Sequence, residues 1–130
     1  MEHLFDENQP IYLQIKHRIC ARILREEFRP GDKLPSVVDA AMQYKVNHNT
    51  IQRVYQELIR DGIAVPRRGE GTFVTGDTAI LEKMRAELQA DFLQNFVDQM
   101  LRLGYREDEL AQLVQAYVSQ SRQQSTDKEE

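Results

Sequence analysis

The chain has 130 residues, of which 41% are hydrophobic and 29% are charged, and its formal net charge is −4. This length allows one compact domain with a short appendage, and it excludes a large catalytic domain. The single cysteine excludes an internal disulfide and a cysteine-rich zinc cluster, and no apolar run approaches the roughly 18 residues that a membrane span requires.

The first predicted element is an amphipathic helix. Pro10 favours its first turn, and apolar residues from Ile11 to Ile23 then recur at helical spacing. The segment 29–32, with its proline and glycine, is expected to end this helix. Its flank carries a series of arginines, Arg18, Arg22, Arg25 and Arg29. These side chains could face phosphate, but a solvated charged face is the commoner role for such a series.

Two short helices joined by a tight turn follow. The segment 33–35 is expected to be briefly extended, and Ser36 is placed to cap the second helix. After residues 45–46 close that helix, Asn47 can cap a third helix that ends near Gly62. Its core positions repeat at intervals of three and four residues: Ile51, Val54, Tyr55 and Leu58. Two helices connected in this way predict a helix-turn-helix.

A β-hairpin comes next. Two short β-runs, 63–67 and 72–75, flank the glycine-rich turn at 68–71, and this pattern predicts a wing beside the helix-turn-helix. Gly76 and Asp77 then interrupt the regular secondary structure, so we expect a hinge before a new helical period begins.

The remaining residues predict a helical hairpin. A long amphipathic helix is expected from Leu81 to Leu103, ended by Gly104, and the acidic segment 107–109 opens a further helix. The polar tail from about residue 119 to residue 130 is expected to be frayed. A domain of about 75 residues would cover the apolar stripe poorly, so we expect it to form a dimer interface. Its members are Leu81, Met84, Leu88, Phe92, Phe96, Met100, Leu103, Leu110, Leu113, Val114 and Tyr117.

Together these elements predict a mainly α-helical fold with a small β-hairpin. A winged helix-turn-helix DNA-binding domain would occupy residues 1–75, and a C-terminal two-helix dimerisation hairpin would occupy residues 76–130. The acidity belongs to the second part, which carries 6 basic and 11 acidic side chains against 11 and 10 in the first. The near-neutral first part can bind DNA if its positive charges gather on one face.

Several linked motifs resemble the GntR family of bacterial regulators. They follow the family order over about residues 9–75: Pro10-Ile11-Tyr12-Leu13-Gln14-Ile15, Pro30-Gly31-Asp32-Lys33-Leu34-Pro35-Ser36-Val37, Val46-Asn47-His48-Asn49-Thr50, Tyr55-Gln56-Glu57-Leu58 and Arg68-Gly69-Glu70-Gly71-Thr72-Phe73-Val74. Residues 76–130 are similar to the YtrA-type short branch by length and two-helix pattern. The resemblance implies a transcription regulator that binds double-stranded operator DNA as a dimer.

The start of the third helix matches the family's base-reading motif. Asparagine and glutamine can pair with adenine and arginine with guanine, so base contacts are expected from His48, Asn49, Gln52 and Arg53. Thr50 is expected to hold a phosphate. The alternative is that residues 47–50 only cap a core helix, but a cap needs one such residue and not four.

The wing carries the second group of predicted DNA contacts. Arg67 and Arg68 precede Gly69, and an arginine at such a tip resembles the family's minor-groove contact. A solvated turn is the alternative. Three further residues complete the predicted DNA-binding set: Lys33, Ser36 and Lys45.

Two positions depart from the family pattern. Many members place an arginine that grips the DNA backbone two residues after the serine of the Leu-Pro-Ser motif, whereas this chain has Val38. Lys33, Lys45 or the arginines of the first helix could supply that charge. His48 stands where proline is common, and it could add a pH-sensitive or base-specific contact.

A homodimer would place two recognition helices about one DNA turn apart, roughly 34–36 Å, and therefore predicts a pseudo-palindromic operator. A monomer whose hairpin folds back on its own winged helix is the alternative. Family habit favours a repressor, for example of a transporter operon, although the sequence itself does not separate a repressor from an activator. A small-molecule effector would have to bind at the dimer interface or between the domains, and the sequence does not identify one.

No cofactor or metal is expected. The histidines His3, His17 and His48 all precede the C-terminal region, which therefore lacks ligands for the histidine-based metal site of some relatives. No enzyme is expected either, because no nucleophile-base pairing or phosphate-cradling loop appears in the sequence. The N-terminus lacks the layout of a signal peptide, which favours a cytoplasmic protein. The family resemblance implies a bacterial protein that associates with the nucleoid. The competing hypothesis is a winged-helix protein-interaction module without specific DNA binding.

Overall fold

A computed structural model describes the backbone of residues 9–129 and the side chains of residues 9–124. Its elements, in chain order, are α1 (Ile11–Leu24), α2 (Val37–Tyr44), α3 (His48–Arg60), β1 (Ala64–Arg67), β2 (Gly71–Val74), α4 (Thr78–Arg102) and α5 (Leu110–Glu129), with one 3-10 turn (Glu107–Glu109) before α5. The predicted fold class, mainly helical with one antiparallel hairpin, is confirmed. None of the described helices combines the length and apolar character that crossing a bilayer requires.

The chain divides into two compact units within α4. The first, called the winged-helix unit, ends at Leu88, and the second, called the hairpin unit, begins at Gln89. Each unit is described by itself below.

The core of the winged-helix unit is built on the apolar face of α3. Its four predicted core residues are all buried, and α3 packs against both α1 and α2. Complete burial of an aliphatic side chain contributes about 1.5–3 kcal/mol. The largest fully buried side chains are Ile15, Ile51, Leu58, Val54 and Val74.

Both predicted N-caps of the helix-turn-helix are confirmed. The Ser36 hydroxyl accepts a hydrogen bond from the Asp39 amide at 3.1 Å, and the Asn47 side chain accepts one from the Asn49 amide at 2.7 Å. The turn between α2 and α3 passes through Lys45 at φ 57°. A left-handed residue ends α2 because it turns the chain out of the helix while its amide still reaches the Ala41 carbonyl.

The predicted end of the first helix at residues 29–32 is wrong. Helix α1 ends at Leu24, and Glu26 adopts a left-handed φ of 65°. The Glu27 amide donates to the Arg22 carbonyl at 2.9 Å, which satisfies a terminal carbonyl of the helix. A glutamate gives no sequence signal for such a cap, because glycine or asparagine normally fills it.

The wing is a two-stranded antiparallel hairpin to which the segment before α2 is added. Val65 pairs with Phe73 in the hairpin, and Lys33 forms a single β-bridge with the same Phe73. The Leu34 amide donates to the Thr72 carbonyl at 2.8 Å. The brief extended stretch predicted at 33–35 is therefore tied to the wing.

The first part of α4 belongs to the winged-helix core. Asp77 caps this helix through the Ala79 amide at 2.9 Å. Met84 and Leu88 are buried in the core cluster of the winged-helix unit, and Leu81 packs against it. These three residues were expected in a dimer interface. Met84 and Leu88 are instead covered within a single chain, which corrects that part of the expectation, whereas Leu81 stays partly exposed.

The hairpin unit contains the rest of α4, the turn and α5. The predicted stop at Gly104 is confirmed, with φ 95° and the Tyr105 amide donating to the Met100 carbonyl at 3.2 Å. Helix α5 continues to Glu129, where a frayed tail from about residue 119 was expected. The segment contains neither glycine nor proline and is rich in glutamine, so its backbone can stay helical without an apolar face.

Candidate nucleic-acid interface

Helix α3 presents a continuous polar face opposite its core residues. The predicted base-contacting residues His48, Asn49, Gln52 and Arg53 are all exposed, and Thr50 is half-buried. Because residues three, four and seven apart share a helix face, Gln56 extends the face that begins at Asn49 and Gln52. Gln56 is exposed, was not among the predicted contacts, and could have been found from this periodicity.

Capping does not account for the polar start of α3. Asn47 alone provides the side-chain cap, through the 2.7 Å bond from the Asn49 amide. The exposed imidazole of His48 and the exposed amide of Asn49 therefore lie on the surface of the first turn. A helix N-terminus of this kind is suited to a phosphate backbone and to base edges.

Arg53 differs from its neighbours because its side chain is held by two other residues. Its guanidinium lies over the Tyr12 ring, 3.6 Å from the ring centroid, and its Nε is 3.7 Å from a Glu57 carboxylate oxygen. The side chain keeps 59% of its surface exposed, whereas that of Glu57 keeps 18%. Tyr12 joins this group from α1, so the sequence alone did not reveal the contact.

The same carboxylate belongs to an ionic group between α1 and α3. Lys16 Nζ lies 3.2 Å from Glu57 and 3.1 Å from Asp61. Burial lowers the pKa of Lys16, but the hydrogen bonds to Asp61 and Glu57 outweigh it, so the pKa is raised. Burial likewise raises the pKa of Asp61, and the Lys16 bond outweighs it and lowers that pKa.

An Asp61→Asn variant is expected to lose a small, acid-sensitive part of the free energy of unfolding. Since the folded-state pKa of Asp61 lies below its ordinary value of 3.8, the contribution is complete above that value and disappears as pH falls through the lower folded pKa. The pair is partly exposed, so the loss at pH 7 should be below about 1 kcal/mol. Urea unfolding should show the difference at pH 7 and a progressively smaller one as pH falls below 3.8. Asp91→Asn is the control on the exposed side of α4. A difference that persists at acid pH would contradict the linkage.

The wing displays cations on one of its faces. Paired residues of an antiparallel ladder project to the same side, so Lys33, Val65 and Phe73 share a face. Arg67 joins them, with its guanidinium 4.3 Å from the Phe73 ring centroid. The predicted tip residues Arg68 and Gly69 are exposed, and Gly69 has φ 77°, as a tight turn requires.

The lysine on this face lies against a glycine. A Cβ atom added to Gly71 would come within 2.7 Å of Lys33 Cε, and Gly71 has φ 121°, a conformation that side-chain-bearing residues rarely adopt. The missing side chain therefore leaves the space that the aliphatic part of Lys33 fills. The structure brings Lys33 and Arg67 together on the wing, although they are 34 positions apart in sequence.

A Gly71→Ala variant is expected to be destabilised by about 1–3 kcal/mol, because alanine is strained at this φ and its methyl group would displace Lys33. Thermal unfolding measures the loss. Gly76→Ala is the control, because a Cβ there meets nothing within 4 Å. Equal melting temperatures for the Gly71→Ala variant and wild type would show that the wing adapts to the methyl group.

The remaining predicted contacts lie before and within the helix-turn-helix. Ser36 uses its hydroxyl as a cap, and Lys45 is exposed in the turn. Val38 is exposed on α2, one helical turn before exposed Met42, so this part of the surface is apolar at the position where the family resemblance led us to expect an arginine.

Three of the arginines expected on the flank of the first helix have intramolecular contacts. Arg22 donates from Nη1 to the Tyr44 hydroxyl at 2.9 Å and lies over the Phe28 ring, and Arg18 lies over the Tyr44 ring at 5.0 Å. Arg25 pairs with Glu27. Arg18 and Arg22 thus contact α2 through Tyr44, a role that the sequence did not indicate.

The described part of the chain contains no group of three or more histidine, cysteine or acidic residues arranged to hold a metal ion. Of the three histidines, His3 lies outside the described residues. Cys20 is buried, and this burial raises the pKa of its thiol to about 11, so the thiol stays protonated at neutral pH.

The hairpin unit carries an exposed apolar groove. The space measures about 510 Å³, and its lining is almost entirely apolar. Five of its lining residues are among the predicted interface residues, and Leu93 is an addition from the same stripe. The lining residues are Leu93, Phe96, Met100, Leu113, Val114 and Tyr117. Of the other predicted members, Phe92 and Leu103 are exposed and Leu110 is buried.

Comparisons with known proteins agree with this architecture. The sequence profile of the family described as bacterial regulatory proteins, gntR family, matches residues 11–74. The chain is 44% identical to the uncharacterized HTH-type transcriptional regulator YhcF of Bacillus subtilis (strain 168), over 91% of this chain and 98% of the relative. It is 35% identical to the HTH-type transcriptional repressor YtrA of the same organism, over 68% of this chain and 70% of that protein.

Solved structures extend the likeness to three dimensions. A GntR family transcriptional regulator from Listeria monocytogenes matches with a TM-score of 0.74 and 35% identity, over 86% of this chain and 98% of that one. The DNA-binding domain of AraR, solved in complex with operator ORX1, matches with a TM-score of 0.51 and 28% identity, over 58% of this chain and 92% of that one. The predicted likeness to GntR-type regulators, including the YtrA-like ones, is confirmed.

Proposed function

This chain belongs to the GntR family of bacterial regulatory proteins, and on that premise we propose that it is a repressor that binds operator DNA sequence-specifically. The observation that carries the proposal is the exposed polar face of α3, where only one residue is used for capping. The operator-bound AraR domain supports it, because that domain matches 58% of this chain, and the family profile covers residues 11–74, which include α3 and the wing. The site of action is proposed to be chromosomal DNA in the cytoplasm.

Recognition is proposed to use two types of contact. Asn49 and Gln52 present side-chain amides that can form paired hydrogen bonds with adenine in the major groove, and Arg53 can read guanine. The wing cations, Lys33 and Arg67, would neutralise phosphate or enter the minor groove, which strengthens binding without selecting a sequence. Helix α3 therefore supplies specificity, and the wing supplies most of the salt-dependent affinity.

The protein is proposed to act as a homodimer through the apolar groove of the hairpin unit. Phe92 and Leu103, two further apolar side chains of the hairpin unit, are also exposed. Large exposed apolar patches are uncommon on monomeric soluble proteins. A second copy presents the same surface, so an isologous contact would cover both grooves at once. Two identical DNA-binding units would then read a pseudo-palindromic operator.

The test is a selection of binding sites from a randomised duplex library with the full-length chain. We expect enrichment of a sequence with two related half-sites. Replacing Asn49 and Gln52 together by alanine should weaken binding to the selected duplex about 10- to 100-fold, while binding to a scrambled duplex changes little. Gln115→Ala, an exposed change on α5, is the control.

The outcome that contradicts the proposal is equal affinity of the wild-type chain for selected and scrambled duplexes at physiological salt. In that case the winged-helix unit would serve another purpose, such as binding a protein partner. The salt dependence adds a second check, because loss of Arg67 should lower the slope of log affinity against log salt by about one phosphate contact.

A further inference from the structure

Three residues from two helices form a compact group on the polar face of the winged-helix unit. Tyr12 comes from the first turn of α1, and Arg53 and Glu57 come from successive turns of α3. The guanidinium of Arg53 is 3.6 Å from the Tyr12 ring centroid and 3.7 Å from Glu57. We infer that Tyr12 and Glu57 are positioning residues that set which edge of Arg53 reads a guanine. This inference rests on the proposed DNA-binding function and adds residues outside the base-contacting set.

The aromatic ring fixes the plane of the guanidinium. At 3.6 Å the two planar groups are in van der Waals contact, and a cation over a ring face is held by the ring quadrupole. An arginine on an exposed helix face otherwise samples many rotamers, and it would lose that freedom when it binds a base. The Tyr12 contact already restricts the rotamers of Arg53 in the free protein, so less conformational entropy is lost when the arginine binds a base.

The carboxylate selects the edge that remains open. Glu57 Oε2 lies on the Nε side of Arg53, which leaves the two terminal nitrogens as the available donor pair. Guanine presents O6 and N7 as neighbouring acceptors in the major groove, and the terminal nitrogens of arginine match them. An arginine so held would distinguish guanine from adenine, because adenine replaces one acceptor with an amino donor.

Glu57 is itself held in place, so it can act as a fixed support. Its Oε1 accepts a hydrogen bond from Lys16 at 3.2 Å, which leaves Oε2 for Arg53. The Glu57 side chain is 18% exposed, compared with 59% for Arg53. The more buried acid is thus anchored to α1, while the arginine keeps most of its surface toward solvent.

The experiment uses the full-length chain and a duplex that the wild-type chain selects from a randomised library, together with every single-base-pair variant of one half-site. The measurement is the base preference at each position. Tyr12→Leu is expected to lower the preference for guanine at one position by about three- to ten-fold. The preferences at the other positions should stay unchanged. Tyr12→Phe retains the ring and should keep the wild-type profile.

A double-mutant cycle shows whether Tyr12 acts through Arg53. Arg53→Ala should abolish the guanine preference at the same position, and Tyr12→Leu should have no further effect there in the Arg53→Ala background. Glu57→Gln provides an independent variant if Tyr12→Leu fails to fold, and it should weaken the same preference. Ile23→Val lowers stability through the buried core without touching Arg53, so its profile should match that of wild type.

A uniform loss of affinity for all base-pair variants in Tyr12→Leu would overturn the inference, because it would show a structural role alone. So would a changed preference at a position that Arg53→Ala does not affect. If the wild-type chain selects no sequence at all, the proposed function fails first and the inference fails with it. That result is distinguishable, since it appears before any variant is examined.

Discussion

A Met100→Glu variant is expected to be a folded monomer with greatly reduced affinity for an operator of two half-sites. Met100 lines the apolar groove of the hairpin unit, and a carboxylate there would lose its hydration in any contact that covers the groove. Linkage of two binding units makes the second contact intramolecular and can strengthen binding by 10²–10⁴. We therefore expect the dissociation constant for the full operator to rise about 100-fold or more.

The measurement pairs light scattering for the molar mass with DNA titration on full and single half-sites. Binding to a single half-site should hardly change, because Met100 lies in the hairpin unit, outside the winged-helix unit. Gln99→Glu is the matched control: it adds the same charge at the neighbouring exposed position outside the groove lining. A dimeric Met100→Glu variant would remove the groove from the proposed interface.

The sequence predicted the helix-turn-helix because its signals are local. A cap such as Ser36 or Asn47 bonds to an amide two or three residues away, so the nearby sequence specifies it. The core face of α3 depends on the same short periodicity. Gly104 also follows this rule, since only a residue tolerant of positive φ is favoured at that helix end.

The unpredicted features depend on contacts between distant residues. Tyr12 and Arg53 are brought together by the packing of α1 on α3, and neither residue type signals the other. The close approach of Lys33 to Gly71 likewise depends on the path of the chain around α2 and α3. Glu26 is a separate case, because its left-handed cap is local but is formed by a residue that rarely adopts it.

The apolar stripe of α4 was recognised from the sequence, but what covers it could not be predicted. Its helical period is continuous from Leu81 to Leu103, so the sequence predicts one surface. The structure divides it: Met84 and Leu88 complete the winged-helix core, and the part after Gln89 lines an open groove. Periodicity identifies an apolar face, but it does not tell whether the chain itself or a second copy covers that face.

This division predicts that Met84→Ala lowers the free energy of unfolding by about 2–4 kcal/mol without changing the state of association. Met84 is 6% exposed within one chain, so its truncation leaves a cavity in the winged-helix core. Urea unfolding monitored by circular dichroism measures the loss, and sedimentation at native conditions measures the molar mass. A side chain in the dimer contact would instead give a loss that depends on protein concentration.

Met42→Ala is the matched control, because Met42 is 71% exposed and the same truncation there should change stability by less than about 0.5 kcal/mol. If the Met84→Ala variant instead became monomeric while the stability of the monomer stayed unchanged, Met84 would belong to the dimer interface. That result would contradict its place in the core. The expected pattern is a destabilised Met84→Ala dimer beside a stable Met100→Glu monomer. The two methionines lie sixteen residues apart on one helix, and opposite outcomes would show that α4 serves a core at one end and a second chain at the other.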